Sequence, residues 1–98
     1  MKFAINFTPN TLDHLQYFRK VEQKIIVEAI KAQLPYEPFT KTKNRKPLRE
    51  NPLSRWELRV KHYRIFYDVD QDSQLVEIKA IGYKEHNTVF FRGKEFFI

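Results

Sequence analysis

Five side chains in the second half of this sequence have the chemistry to hold an anion and move a proton: Glu57, Arg59, Arg64, Lys84 and His86. Arginine carries a planar fork of N–H donors that matches two oxygens of one phosphate. Histidine exchanges a proton near neutral pH, and a carboxylate or an ammonium group can do the same once its surroundings tune it. Each has a plain structural reading as well. Arg64 can pair with Glu57 or Asp68, Arg59 can serve the fold, and His86 can be a surface residue at a sheet end. His62 and His14 are expected to be structural.

Short runs rich in Val, Ile, Tyr and Phe must position these groups. They are Trp56–Val60, Tyr63–Asp70 and Val76 onward to Asn87, separated by Lys61-His62 and by a polar turn at residues 70–74. That is the pattern of consecutive antiparallel strands. Side chains alternate across a strand, so Leu58 and Val60 share one face, and Glu57 and Arg59 the other. Ile65, Tyr67 and Val69 are expected on the packed face, with Arg64, Phe66 and Asp68 opposite. Val76, Ile78 and Ala80 are expected to be the packed set of the third strand. The unpacked face then collects Arg59 and Arg64, with Lys84 and His86 at its end.

The rest of the chain supports such a sheet. Residues 2–7 alternate Phe3, Ile5 and Phe7 with Lys2, Ala4 and Asn6, a further strand with one buried face. Thr8-Pro9 marks a helix start, since Thr caps and Pro fits the first turn. Leu12 and Leu15 form one apolar stripe, and Val21, Ile25, Ile26, Ala29, Ile30 and Leu34 a second. Two helices are expected, broken near residues 18–20 and ended at Leu34-Pro35. Residues 35–55 hold four prolines and little periodicity, and are expected to be a long basic loop. The aromatic tail from Thr88 to Ile98 is expected to turn and pack back as a short strand. The outcome is an α+β fold: a small curved antiparallel sheet with two N-terminal helices on one face, in one domain spanning 1–98.

Composition narrows the function. The chain has 98 residues, 42% hydrophobic and 15% aromatic, enough for a core. It has no cysteine, which excludes a disulfide framework and a Cys-based zinc site. Its histidines are far apart and no acidic cluster has ligand spacing, so no metal or cofactor is expected. Residues 1–5 run into polar residues too soon for a signal peptide, and no apolar run approaches the roughly 20 residues that span a bilayer. The net charge is +6, which suits polyanions or an acidic partner. Residues 40–54 alone contribute +4 of it through Lys41, Lys43, Arg45, Lys46 and Arg49, set against Glu50.

The succession Glu57-Leu58-Arg59-Val60, Tyr63-Arg64-Ile65-Phe66-Tyr67 and Ala80-Ile81-Gly82-Tyr83-Lys84-Glu85-His86-Asn87 resembles the RelE/ParE superfamily, the toxins of type II toxin–antitoxin pairs. The resemblance covers nearly the whole chain. It implies a bacterial, cytoplasmic toxin neutralised by a cognate antitoxin. In the RelE-like branch the toxin cuts messenger RNA in the ribosomal A site; in the ParE-like branch it inhibits DNA gyrase and is not a nuclease. A degenerate member keeping only antitoxin binding is a third alternative. Fold alone does not choose.

For the nuclease branch, metal-free RNA cleavage needs a base for the 2′-hydroxyl, cations for the phosphorane and an acid for the leaving 5′ oxygen. The resemblance places Arg64, Arg59 and Lys84 at the phosphate, with His86 and Glu57 as the acid–base pair. Lys41, Lys43, Arg45, Lys46, Arg49 and Arg55 would grip ribosomal RNA without sequence choice, or attract an acidic antitoxin. Two positions depart from the RelE pattern. Glu57 stands where a lysine is expected, and Phe90 where a tyrosine is, so a hydroxyl donor is missing. Trp56, Phe66 and Phe90 are candidate base-stacking platforms.

Overall fold

The computed structural model describes residues 2–96. Its elements are β1 (Ala4–Phe7), α1 (Pro9–Gln16), α2 (Lys20–Gln33), β2 (Arg45–Pro47), β3 (Trp56–Val60), β4 (Tyr63–Asp70), β5 (Leu75–Glu85), β6 (Thr88–Phe91) and β7 (Lys94–Phe96). The sheet order is β2-β3-β4-β5-β6-β7, with β1 paired to β5. The two-helix expectation holds, with the break at residues 17–19. Pro9 opens α1, and Glu22 starts α2 by accepting the Arg19 N–H at 3.2 Å, which satisfies one of the donors a helix start leaves free.

Both helices cover one face of the sheet. Ile26 and Ile30 of α2 and Leu34 that caps it meet Leu58, Ile65, Tyr67, Val76, Ile78 and Ile81 in the main core. Fully burying a Leu or Ile stabilises by about 1.5–3 kcal/mol, and all nine of these are fully buried. Tyr67 carries a polar tip into this core, where its hydroxyl donates to the Pro38 carbonyl at 2.7 Å.

Several details differ from expectation. β1 runs parallel to β5, not antiparallel. Residues 35–55 are not wholly loop, because residues 45–47 pair with β3 as an edge strand. The tail forms two strands, β6 and β7; Phe97 and Ile98 lie outside the described residues. Ala80 is not in the packed set with Val76 and Ile78. The ladder pairs Phe66 with Ala80 but Tyr67 with Ile78, leaving Lys79 as an extra residue. Such a bulge shifts the alternation by one, so Ile81 joins the main core and Ala80 turns to the other face.

That other face is not wholly solvent. Phe66, Ala80 and Val89 are buried there with Leu48, Leu53 and Phe91 around them. Phe66 is fully buried, so it is no base-stacking platform. Gly82 lets the next strand close over this cluster: a Cβ there would lie 2.2 Å from the Phe90 carbonyl oxygen and 2.7 Å from the Phe91 ring. Glycine in a strand often marks such a close approach.

Candidate functional site

Residues opposite each other in an antiparallel pair share a face. Lys46 faces Glu57, Glu57 faces Phe66, Arg59 faces Arg64, and Lys84 faces Val89. The helix-free side thus gathers Lys46, Glu57, Arg59, Arg64 and Lys84 around the small Phe66 cluster. Between this cluster and the loop before β3 runs a groove of about 700 Å³, lined by Arg49, Glu50, Asn51, Glu57, Arg59, Lys84, Asn87 and Thr88 among others.

Glu57 is buried at 5% exposure, and Arg59 Nε donates to its Oε1 at 2.8 Å. A carboxylate sunk this far needs a partner, and Arg59 supplies it. The Arg59 side chain is 43% exposed, so its outer donors still face the groove. Lys84 lines the groove wall, and its N–H donates to the His62 carbonyl at 2.8 Å, tying the end of β5 to the β3–β4 hairpin.

Arg64 does not line the groove. Its Nη1 donates to the Lys61 and Tyr63 carbonyls, both at 2.9 Å, and its buried Nε has no partner. Burial lowers the affinity of this guanidinium for its proton, with the nearby Glu57 carboxylate opposing and Arg59 adding to the fall. His86 is exposed in the two-residue turn between β5 and β6, where His86 and Asn87 both have positive φ. It does not line the groove either, so Glu57 and His86 are not brought together in it.

The basic segment divides. Arg45 shares a face with Leu58, toward the helices. Its Nη1 donates to the Gln33 and Tyr36 carbonyls at 2.7 and 2.9 Å, and its Nε to Thr40 at 3.2 Å. It therefore satisfies the Gln33 carbonyl left free at the end of α2 and two carbonyls of the loop that follows. Arg49 reaches the groove, Lys41 and Lys43 are exposed away from it, and exposed Arg55 lines a smaller hollow beside it.

Some residues that shape these surfaces escaped the sequence reading. Asn51 accepts from the Leu53 and Ser54 N–H groups and donates to the Arg49 and Ser54 carbonyls, which fixes the loop presenting Arg49. Its signal was Asn51-Pro52, a turn-starting pair. A second groove, about 690 Å³, lies where the α1–α2 turn meets the ends of β4 and β5, and is lined by Tyr17, Phe18, Arg19, Glu22, His62, Tyr83, Lys84 and Glu85. Tyr63 stands beside it; burial and its hydroxyl's bond to Glu22 Oε2 push its pKa up to about 12. The Tyr83 pKa is raised too, first by a hydrogen bond with Tyr17. Among the described residues no cluster of His, Asp and Glu has metal-site geometry, and no helix is long and apolar enough to cross a membrane.

The architecture has known counterparts. The chain superposes on the RelBE2 toxin–antitoxin complex of Mycobacterium tuberculosis with a TM-score of 0.74 at 23% identity, covering 86% of this chain and 100% of that one. The archaeal RelE–RelB complex of Pyrococcus horikoshii gives 0.69 at 20% identity over 88% and 99%. A mutant of the E. coli toxin RelE in the free state gives 0.69 at 17% over 87% and 86%. At these identities the likeness is one of fold. No curated relative matches in sequence. The profile of the ParE toxin of the type II toxin–antitoxin system, parDE, matches residues 5–88, and with most of its length inside that match the chain belongs to this family of toxins, within the RelE/ParE superfamily.

Proposed function

We propose that this toxin is an endoribonuclease that cuts messenger RNA on the ribosome by metal-independent acid–base chemistry. The observation that supports it is Glu57, a carboxylate sunk in the floor of a groove that Arg49, Arg59 and Lys84 also line. An RNA phosphate entering the groove competes for the Arg59 fork and frees a Glu57 oxygen. Glu57 then takes the proton of the 2′-hydroxyl as its oxygen attacks phosphorus. Arg59 and Arg49 carry the charge of the phosphorane. Lys84 protonates the departing 5′ oxygen, leaving a 2′,3′-cyclic phosphate and a 5′-hydroxyl. Arg64 acts from behind, by holding the hairpin that carries Arg59. His86, outside the groove, is the alternative proton donor, compared through His86→Ala.

The test is incubation of a defined messenger with the protein, in the presence and absence of translating ribosomes, with the RNA ends mapped. Cuts are expected only with ribosomes, and Glu57→Gln is expected to slow them by about 10²–10⁴-fold. Intact messenger in the presence of folded protein overturns the proposal.

A second reading is inhibition of DNA gyrase without chemistry. Two observations favour it. Glu57 is already neutralised by Arg59 at 2.8 Å, and Phe90, besides lacking a hydroxyl, stacks on Tyr83 on the helix side of the sheet. On that reading supercoiling by purified gyrase falls equally with wild type and Glu57→Gln. In either case the partner is a cognate antitoxin and the setting the bacterial cytoplasm. The solved relatives named as RelB–RelE complexes support the antitoxin.

A further inference from the structure

We propose that the second groove is a nucleobase-stacking subsite for single-stranded RNA leaving the first. The proposal rests on the ribonuclease reading and extends it to residues outside the reacting groove. Its geometric basis is a column of three rings. Tyr17 and Tyr83 have centroids 6.3 Å apart and planes 8° from parallel, and Tyr83 and Phe90 are 5.2 Å apart at 12°. Tyr83 and Phe90 face each other across β5 and β6, so two of the rings stand on one strand pair, and Tyr17 is added from the end of α1. Phe18 stands edge-on to Tyr17 and Tyr83 at 5.5 and 6.2 Å and fixes both from the core side. Tyr17 ends the column and is 49% exposed. A flat ring at the end of a stacked column is a surface on which any base can stack.

Two further observations choose RNA as the occupant. Lys84 lines both grooves, so one backbone passing the β3–β4 hairpin end of the sheet stays beside the same ammonium from the first groove into the second. Arg19 lies on the far wall, where it pairs with Glu22 at 3.3 Å, and Glu22 also accepts from the Tyr63 hydroxyl at 2.8 Å. Glu22 and Glu85 line this groove too and balance its charge, so Arg19 and Lys84 act by position, one on each side of the rings for the phosphates that flank one stacked base. The column also gives Phe90 a role that needs no hydroxyl: it backs Tyr83.

The test is equilibrium binding, by fluorescence anisotropy, of a short single-stranded RNA and of the same oligonucleotide with abasic sites, which keeps the phosphates and removes the rings. Wild type is expected to prefer the intact oligonucleotide by about tenfold, the effect of one stacked base. Tyr17→Ala, at an exposed position, should keep its circular dichroism and lose that preference, and Tyr17→Phe should retain it. Preference unchanged in Tyr17→Ala overturns the inference, as does a wild type that prefers neither oligonucleotide. Unchanged RNA binding by Tyr17→Ala with loss of a co-expressed antitoxin overturns it in favour of a protein-docking surface. The parent reading is tested apart from this, by ribosome-dependent cleavage with wild type: cleavage by a wild type that prefers neither oligonucleotide removes the subsite and leaves the nuclease standing.

Discussion

Arg64 and Lys84 have similar charge and adjacent places on one face, yet their surroundings give them different work. Arg64 spends its Nη1 on two carbonyls at the β3–β4 turn, and its Nε is buried without a partner. Lys84 is partly exposed and lines the groove. Removing a donor from carbonyls it satisfies costs about 1–2 kcal/mol. Arg64→Ala should therefore lower stability by about that much in urea unfolding, while the folded fraction keeps most of its cleavage activity. Lys84→Gln should leave the unfolding midpoint in place and reduce cleavage by about 10²-fold or more, as loss of a general acid does. Arg64→Ala that unfolds normally and fails to cleave would place its guanidinium on substrate instead. Sequence could name both residues but not separate them. Tyr63-Arg64 fixes which face the arginine takes, whereas its choice between the turn carbonyls and the groove depends on how the hairpin closes.

At the scale of elements, β5 organises the molecule, and its least regular part is informative. β1 pairs with it up to Ile78, and β6 from Tyr83. The stretch between them has no strand on that edge, and two side chains fill in. Thr8 Oγ1 donates to the Ile78 carbonyl at 3.0 Å, and the Ile81 N–H donates to His14 Nδ1 at 3.1 Å. Accepting that bond requires a neutral ring. Burial lowers the His14 pKa from its ordinary 6.5, Arg92 adds to the fall, and Asp13 opposes it. The unfolded chain therefore binds this proton more readily than the folded one. The stability His14 contributes is complete above about pH 6.5 and is lost as pH falls through the folded value. Wild type should show a lower Tm at pH 5 than at pH 7. His14→Phe should be less stable at pH 7, with a smaller change between the two. Equal slopes for both proteins would move the pH dependence to other groups. The alternation of residues 75–85 announced the strand, and Thr8-Pro9 the helix start. The bulge at Lys79 left no mark, because Lys79 and Ala80 suit either face. The parallel pairing of β1 was equally hidden: Phe3, Ile5 and Phe7 show a buried face but not the neighbour's direction. The groove's cations were legible as types, and the aromatic column was not, since Tyr17, Tyr83 and Phe90 meet only after three elements pack.

For the molecule as a whole, the net charge of +6 is distributed differently in space from its run in the sequence. Arg45 is turned toward the end of α2, and Lys41 and Lys43 stand on a loop away from the groove. Lys46, Arg49, Arg59 and Lys84 are four cations on the helix-free face that neighbour or line it, while Arg64 is spent on the β3–β4 carbonyls and Arg55 stands in the hollow beside it. This partition has a measurable consequence in the salt dependence of RNA binding. Each phosphate held by a cation releases counterions, so the affinity for a single strand falls with log salt by a slope of about −0.7 per contact. With one phosphate on each of these four side chains and one on Arg19 in the second groove, the slope should be about −3.5. Lys84→Gln should make it shallower by about 0.7, while the double variant Lys41→Gln, Lys43→Gln should leave it unchanged. A wild-type slope near −5, reduced by the loop variant, would mean that the strand runs over the loop and not along the groove. Arg59→Lys tests the same partition from the floor. It keeps the charge and gives up the fork that Glu57 and a phosphate must share, so its slope should match wild type while its cleavage rate falls. If slope and rate fell together in that variant, Arg59 would act through charge alone, and competition between Glu57 and phosphate for one guanidinium would not be how the groove works.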